Sequence, residues 1–265
     1  MPLSAPLTRR IGSAVVLGPP VLVCVWVGGA PYSILLLSIT AILAWEWSRL
    51  CGAPMPKPAS LLLGIILMGV LLAAAQGIFV TAGTILLLGG AVMLAIPGAN
   101  AWLASGAIYL GGPALALLWL RHDVEWGRLT VLWLLAVVWA SDIGAYAVGS
   151  LVGGPRLAPR ISPNKTWSGL LGGVASAAAA GATFAALGGT GSAGRLMVLS
   201  AGIGLSAQAG DLAESWLKRR FGVKDVSGLI PGHGGMLDRV DGLLIAALVT
   251  ALIAVWGNGK IWIWL

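Results

Sequence analysis

The sequence predicts an all-α, polytopic integral membrane protein of about nine transmembrane helices, with its N-terminus cytoplasmic and its C-terminus on the opposite side. Three observations carry this expectation. Of 265 residues, 58% are hydrophobic and only 9% are charged, where soluble domains average about 45–50% and about 25%. Mean hydropathy is +0.94. The apolar residues also recur in stretches close to the ~20 residues a helix needs to cross a bilayer.

Taken in order, those stretches run near 11–29, 31–46, 60–79, 82–97, 101–120, 129–150, 167–188, 195–213 and 240–256. Pro19 and Pro20 interrupt the first and Pro113 the fifth, while glycines loosen the seventh. Neighbouring helices must then satisfy the freed backbone groups. The second and fourth are the shortest. Arg9 and Arg10 before the first run resemble the start of a secretory signal, but eight further apolar runs make a membrane anchor the simpler reading.

Charge tests the count, because Lys and Arg in short loops gather on the cytoplasmic side. With the N-terminus inside, that side holds Arg9, Arg10, Arg49, Lys57, Arg156, Arg160, Lys165, Lys218, Arg219, Arg220, Lys224 and Arg239, leaving Arg121, Arg128, Arg195 and Lys260 opposite. The acids Glu46, Asp142, Asp211, Glu214, Asp225, Asp238 and Asp241 fall at the same face, whereas Asp123 and Glu125 do not. A carboxylate inside the hydrocarbon costs about 2.5–3.5 kcal/mol even on insertion scales, so Asp142 and Asp211, near the ends of apolar helices, need a reason. Two cysteines, Cys24 and Cys51, on apolar stretches exclude a disulfide framework or a cysteine metal site. Net charge of +7 suits lipid headgroups or nucleotide phosphates.

Three constellations could do chemistry. Asp211, Glu214, Ser215 and Lys218 share one face of a continuous helix, and Asp238 and Asp241 share another, with Arg239 between them on a different face. Paired carboxylates at such spacing suit Mg2+, whose octahedron is completed by substrate phosphate and water. Between them lies a loop with Lys224, Asp225, Gly228, Pro231, Gly232, His233, Gly234 and Gly235, where glycine N–H groups could approach a phosphate and His233 could donate to it. The third constellation is Ser162-Pro163-Asn164-Lys165-Thr166. It reads as a helix start with Ser162 as N-cap and Pro163 at the first helical position, forming an anion site. Asp142 and Tyr146 lie one turn apart on helix six. His122, beside Arg121, Asp123 and Glu125, reads as part of a solvated loop.

The run from Ser215 to Asp241 resembles the signature of the CDP-diacylglycerol synthase, or phosphatidate cytidylyltransferase, family. Ser215, Leu217, Lys218, Arg219, Lys224 and Asp225 match its first half, and Pro231, His233, Gly234, Gly235, Met236, Asp238, Arg239, Val240 and Asp241 its second. Ser141 to Tyr146 and Ser162 to Trp167 look like the family's two upstream segments. Where many members carry Ser after the final Asp, this chain has Gly242.

The resemblance implies transfer of the cytidylyl group of CTP to phosphatidic acid, giving CDP-diacylglycerol and pyrophosphate, in phospholipid biosynthesis. It implies catalytic roles for Asp142, Lys165, Thr166, Lys218, Arg219, Lys224, Asp225, His233 and Arg239. Substrate binding would fall to Ser162, Asn164, Lys165, Ser215, Lys218, Arg219, Lys224, Gly234, Gly235 and Arg239, and Mg2+ binding to Asp211, Asp238 and Asp241, a second cation being left open. Residues 1–130 form N-terminal transmembrane helices without a recognisable motif, and 131–265 the C-terminal catalytic region. The partners expected are CTP, phosphatidic acid and the lipid bilayer, with no nucleic acid and with a homodimer left open. The expected location is a bacterial inner membrane, with the active site facing the cytoplasm. The spaced aspartates of CDP-alcohol phosphotransferases and a Walker-type phosphate loop are both absent. A transporter would need charges at the midplane or on both faces, whereas here they gather at one.

Overall fold

Every one of the nine apolar stretches contains a helix. The computed structural model describes residues 18–257 except 54, 56, 98, 189–191 and 230–233. In chain order the helices are α1 (Gly18–Val27), α2 (Gly29–Leu50), α3 (Pro58–Ala75), α4 (Phe79–Leu94), α5 (Ala101–His122), α6 (Gly127–Val152), α7 (Trp167–Gly188), α8 (Ala193–Arg220) and α9 (Leu237–Trp256). Seven are long and apolar enough to cross a membrane; α1 as described and the 16-residue α4 are shorter. Part of the first expected stretch, with Arg9 and Arg10, lies outside the described residues, as does Lys260.

The described residues up to His122, with Phe221–Val240, form one compact unit. Within it α3 packs on α2, α4 and α5, and α5 on α2 and α4. Trp47, fully buried, donates its indole N–H to the Trp102 carbonyl at 2.9 Å, and any side chain at Gly106 would collide with that ring. This is how an aromatic with a polar edge is accommodated in a core. Pro113 does not interrupt its helix as expected: α5 runs through it, with Pro113 buried. Breaking a spanning helix would expose further unpaired backbone groups to lipid, so a single lost hydrogen bond is the cheaper outcome. His122, expected in a solvated loop, is the exposed last residue of α5, with its ring edge-on to Phe79 at 4.9 Å.

Asp123–Arg220 and the described residues from Asp241 form the second unit. Here α7 packs along α6 and α8 through small residues. A methyl group on Gly144 would strike Ser176, on Gly172 Val148, on Gly181 Ser200 and on Gly204 Ala177. Close backbone approach of this kind is how helices associate when lipid removes the hydrophobic drive between them. Polar groups pair across the same seams. Gln208 donates to the Ser141 hydroxyl (3.3 Å) and the Leu170 carbonyl (3.2 Å), Ser141 donates to the Gly204 carbonyl (3.3 Å), and Trp133 donates to the Ser200 hydroxyl (2.9 Å).

Two helices exceed what a bilayer requires. At 1.5 Å per residue, α6, with 26 residues, is about 39 Å long and α8, with 28, about 42 Å, against a hydrocarbon core of about 30 Å. Asp142 and Asp211, expected near the helix ends, are therefore more than two turns inside them. They lie ten and nine residues before the last residues, Val152 and Arg220.

The expected helix start at Ser162 is also corrected. Arg156–Ala158 (β1) and Ser162–Thr166 (β2) pair antiparallel, Arg156 opposite Thr166 and Ala158 opposite Ser162. α6 ends at Gly153, and both Gly153 (φ 63°) and Gly154 (φ 104°) turn through left-handed backbone that favours glycine. Ser162 precedes a proline, which pushes it toward extended backbone and away from a helical cap. The cap falls instead on buried Thr166, whose Oγ1 accepts the Gly169 N–H at 3.0 Å.

Candidate active site

In the second unit, α8 sets the site. Its continuous helical backbone places Asp211, Glu214, Ser215 and Lys218 as the i, i+3, i+4, i+7 spacing requires. The Ser215 hydroxyl lies 3.5 Å from Asp211 Oδ1, and Lys218 Nζ lies 2.6 Å from Glu214 Oε2. Glu214 is fully buried, so its carboxylate depends on such a partner. The hairpin supplies the next charge. Lys165, on β2, reaches Asp211 Oδ2 at 2.6 Å, joining the upstream Ser-Pro-Asn-Lys-Thr segment to the signature helix across 46 positions. Arg219 donates from Nε to the Ile161 carbonyl (3.3 Å), which ties the hairpin to the end of α8, and Arg156 donates from Nη1 to the Asn164 carbonyl (3.2 Å) within the hairpin.

Asp241 joins this group through a glycine. A methyl group on Gly210 would sit 2.8 Å from the Asp241 carbonyl oxygen, so the α8 and α9 backbones touch one residue before Asp211. The Asp241 carboxylate feels the charges of Asp211, Glu214 and Asp142. Asp142 is exposed on α6, and Tyr146 one turn on is exposed too. Asn164 is exposed, and Ser162 partly so.

The remaining candidates belong to the first unit. Lys224, Asp225 and Arg239 are exposed. Asp238 Oδ2 accepts the backbone N–H of Gly235 (2.7 Å) and of Val226 (3.3 Å), so the Gly235 amide, expected to face a phosphate, is turned to a carboxylate. Gly234 has φ 80°, and a methyl group there would lie 2.8 Å from Asp238 Oδ2 and 3.6 Å from Asp225 Oδ1. His233, with Pro231 and Gly232, lies outside the described residues. One residue absent from the expected site is tied to this loop: Glu46 of α2 accepts hydrogen bonds from Ser227, Met236 and Leu237. Its only sequence signal was an acid in an apolar helix.

The donors available to a metal are carboxylate and hydroxyl oxygens, which suits a hard ion such as Mg2+ and not a thiolate- or imidazole-seeking one. Among the described residues no three of His, Cys, Asp and Glu converge as a ready-made ligand set.

The cytidylyltransferase family matches residues 8–256 of the chain. The chain belongs to that family. Among cytidylyltransferases it is similar to the phosphatidate cytidylyltransferase of Brucella suis biovar 1, with 43% identity over 251 residues, covering 93% of this chain and 92% of the relative. It is also similar to proteins of the same name from Pseudomonas aeruginosa (34% identity, 96% and 98% covered) and Haemophilus influenzae (33%, 91% and 96%). The match to this family runs through both units, so the N-terminal helices belong to the cytidylyltransferase as much as the signature does.

Proposed function

We propose that the chain is a phosphatidate cytidylyltransferase, joining CTP and phosphatidic acid into CDP-diacylglycerol and pyrophosphate. The observation that carries this reading is the Lys165–Asp211 ion pair. It unites the two sequence segments that mark the family in one polar cluster on otherwise apolar helices, in a chain whose relatives of that name match over nine-tenths of its length.

The chemistry follows from charge. An oxygen of the lipid phosphate attacks the α-phosphorus of CTP, and the bond from that phosphorus to the bridging oxygen breaks, releasing pyrophosphate. Both reactants are anions, so positioning and charge neutralisation supply most of the rate. Lys165 and Lys218 present ammonium groups beside the α8 carboxylates, and Arg219, Lys224 and Arg239 clamp phosphate oxygens. Ser162, Asn164 and Ser215 orient the substrates with hydroxyl and amide groups, while the buried hydroxyl of Thr166 caps α7 beside Lys165. Asp211, Asp238 and Asp241 would hold Mg2+, which when bound would supply charge stabilisation for the departing pyrophosphate. Asp142 adds a fourth carboxylate to the field around Asp241. The lipid phosphate is already ionised, so no protein nucleophile or covalent intermediate is required.

In the same reading the chain crosses a bacterial inner membrane nine times, and the site faces the cytoplasm. Support comes from twelve of the sixteen Lys and Arg falling on one side of that arrangement. The test is CTP-dependent pyrophosphate release by the detergent-solubilised protein given phosphatidic acid and Mg2+. Failure to release pyrophosphate with both substrates and metal present would exclude the reading.

A further inference from the structure

From the hydrogen bonds of the first unit we infer that Glu46 is a positioning residue for the reaction. Seated on an N-terminal helix, it fixes the start of α9 and so the direction in which Asp238 and Arg239 are presented. This rests on the phosphatidate cytidylyltransferase reading. Glu46 lies four residues before the end of α2 and is completely buried. A buried carboxylate is costly unless hydrogen-bonded to its charged form.

Among the described residues, its donors come from one place. Oε1 accepts the Ser227 hydroxyl at 2.5 Å and the Met236 N–H at 2.8 Å, and Oε2 accepts the Leu237 N–H at 2.7 Å. Leu237 opens α9, so Glu46 caps from a distant helix two of the orphan N–H groups that a helix start must satisfy.

The consequence reaches the next residue. Asp238 spends one oxygen on the N–H groups of Gly235 and Val226, which belong to the same loop that Glu46 grips at Ser227 and Met236. Gly235 is required by this arrangement. A methyl group there would sit 2.5 Å from Glu46 Oε1 and 3.1 Å from Asp238 Oδ2, so the two carboxylates close over a residue without a side chain. Glu46 thus sets the loop, and the loop holds one Asp238 oxygen and with it the orientation of that carboxylate. Such an indirect partner commonly costs about 10- to 100-fold in metal affinity or activity when removed.

The test uses the full chain in detergent and the near-isosteric Glu46→Gln, whose amide NH2 would face a backbone N–H instead of accepting from it. Three quantities are compared with wild type: the thermal unfolding midpoint, hydrogen exchange of the peptide around 234–240, and the Mg2+ dependence of CTP-driven pyrophosphate release. The expected result is a folded protein with faster exchange confined to that peptide. Its half-saturating Mg2+ should rise by about 10-fold and its kcat should fall by about 10-fold or more, with KM for phosphatidic acid little changed. Should Glu46→Gln prove too unstable to assay, Ser227→Ala removes one donor of the same set and should raise the Mg2+ requirement in the same direction. A folded Glu46→Gln, or in its place Ser227→Ala, with wild-type Mg2+ dependence overturns the inference, even if exchange is faster. Wild-type protein that itself releases no pyrophosphate removes the functional reading instead, and the role in turnover falls with it.

Discussion

Acids in the two units are held by different partners. On α8, Asp211 and Glu214 face the ammonium groups of Lys165 and Lys218 at 2.6 Å each. In the first unit, Glu46 of α2 and Asp238 of α9 are held by backbone N–H groups at and before the start of α9. An ion pair with a flexible lysine can open and exchange one cation for another, whereas a carboxylate tied to the main chain gives up its position only if the chain moves. The α8 acids can thus exchange partners, whereas Glu46 and Asp238 hold a shape.

The sharpest way to break that contrast is to neutralise, one at a time, Asp211, its neighbour Asp241 and Asp238. Asp211→Asn and Asp241→Asn should each lower kcat by roughly 1000-fold or more while leaving the unfolding midpoint near wild type, because charge at the reacting phosphates is lost without a packing change. Asp238→Asn should match that loss and, in addition, speed hydrogen exchange around 226–235. Equal exchange in all three variants would erase the distinction. Next in size, Lys165→Met should reduce kcat/KM by about 100-fold, and Lys165→Arg less, as read by pyrophosphate release at saturating Mg2+. A smaller effect on stability is expected at the glycine contact: Gly210→Ala forces a methyl group against the Asp241 carbonyl and should cost about 1–3 kcal/mol by denaturant or thermal unfolding. Smallest is Thr166→Ala, which removes the α7 cap and should cost about 1 kcal/mol; no change would return the cap to another residue.

Helix positions were legible because lipid makes the signal simple: a spanning segment is a long apolar run, and every expected stretch holds a helix. The α8 stripe was legible for the same reason that any i, i+4 pair is. What misled was Ser162-Pro163, since serine before proline marks a helix start in one context and an extended strand in another, and only the pairing with Arg156–Ala158 decides between them. Pro113 misled in the opposite way, its cost absorbed by packing that sequence does not display. The Lys165–Asp211 contact could be suspected from motif resemblance but not from spacing, because the hairpin that delivers it has no periodicity of its own. Glu46 was illegible as an anchor: its partners are largely main-chain groups about 190 positions away, and backbone donors leave no residue-type signature.

The length of α8 ties the chemistry to bilayer thickness. A rod of about 42 Å in a hydrocarbon slab of about 30 Å must tilt or protrude, and Asp211 sits about 13–14 Å from its C-terminal end. Shortening or lengthening the surrounding acyl chains by a few carbons would slide that carboxylate relative to the ester and phosphate level of neighbouring lipids. The enzyme's turnover in vesicles should therefore pass through an optimum as chain length varies, making the product of phospholipid synthesis a gauge of the membrane it builds.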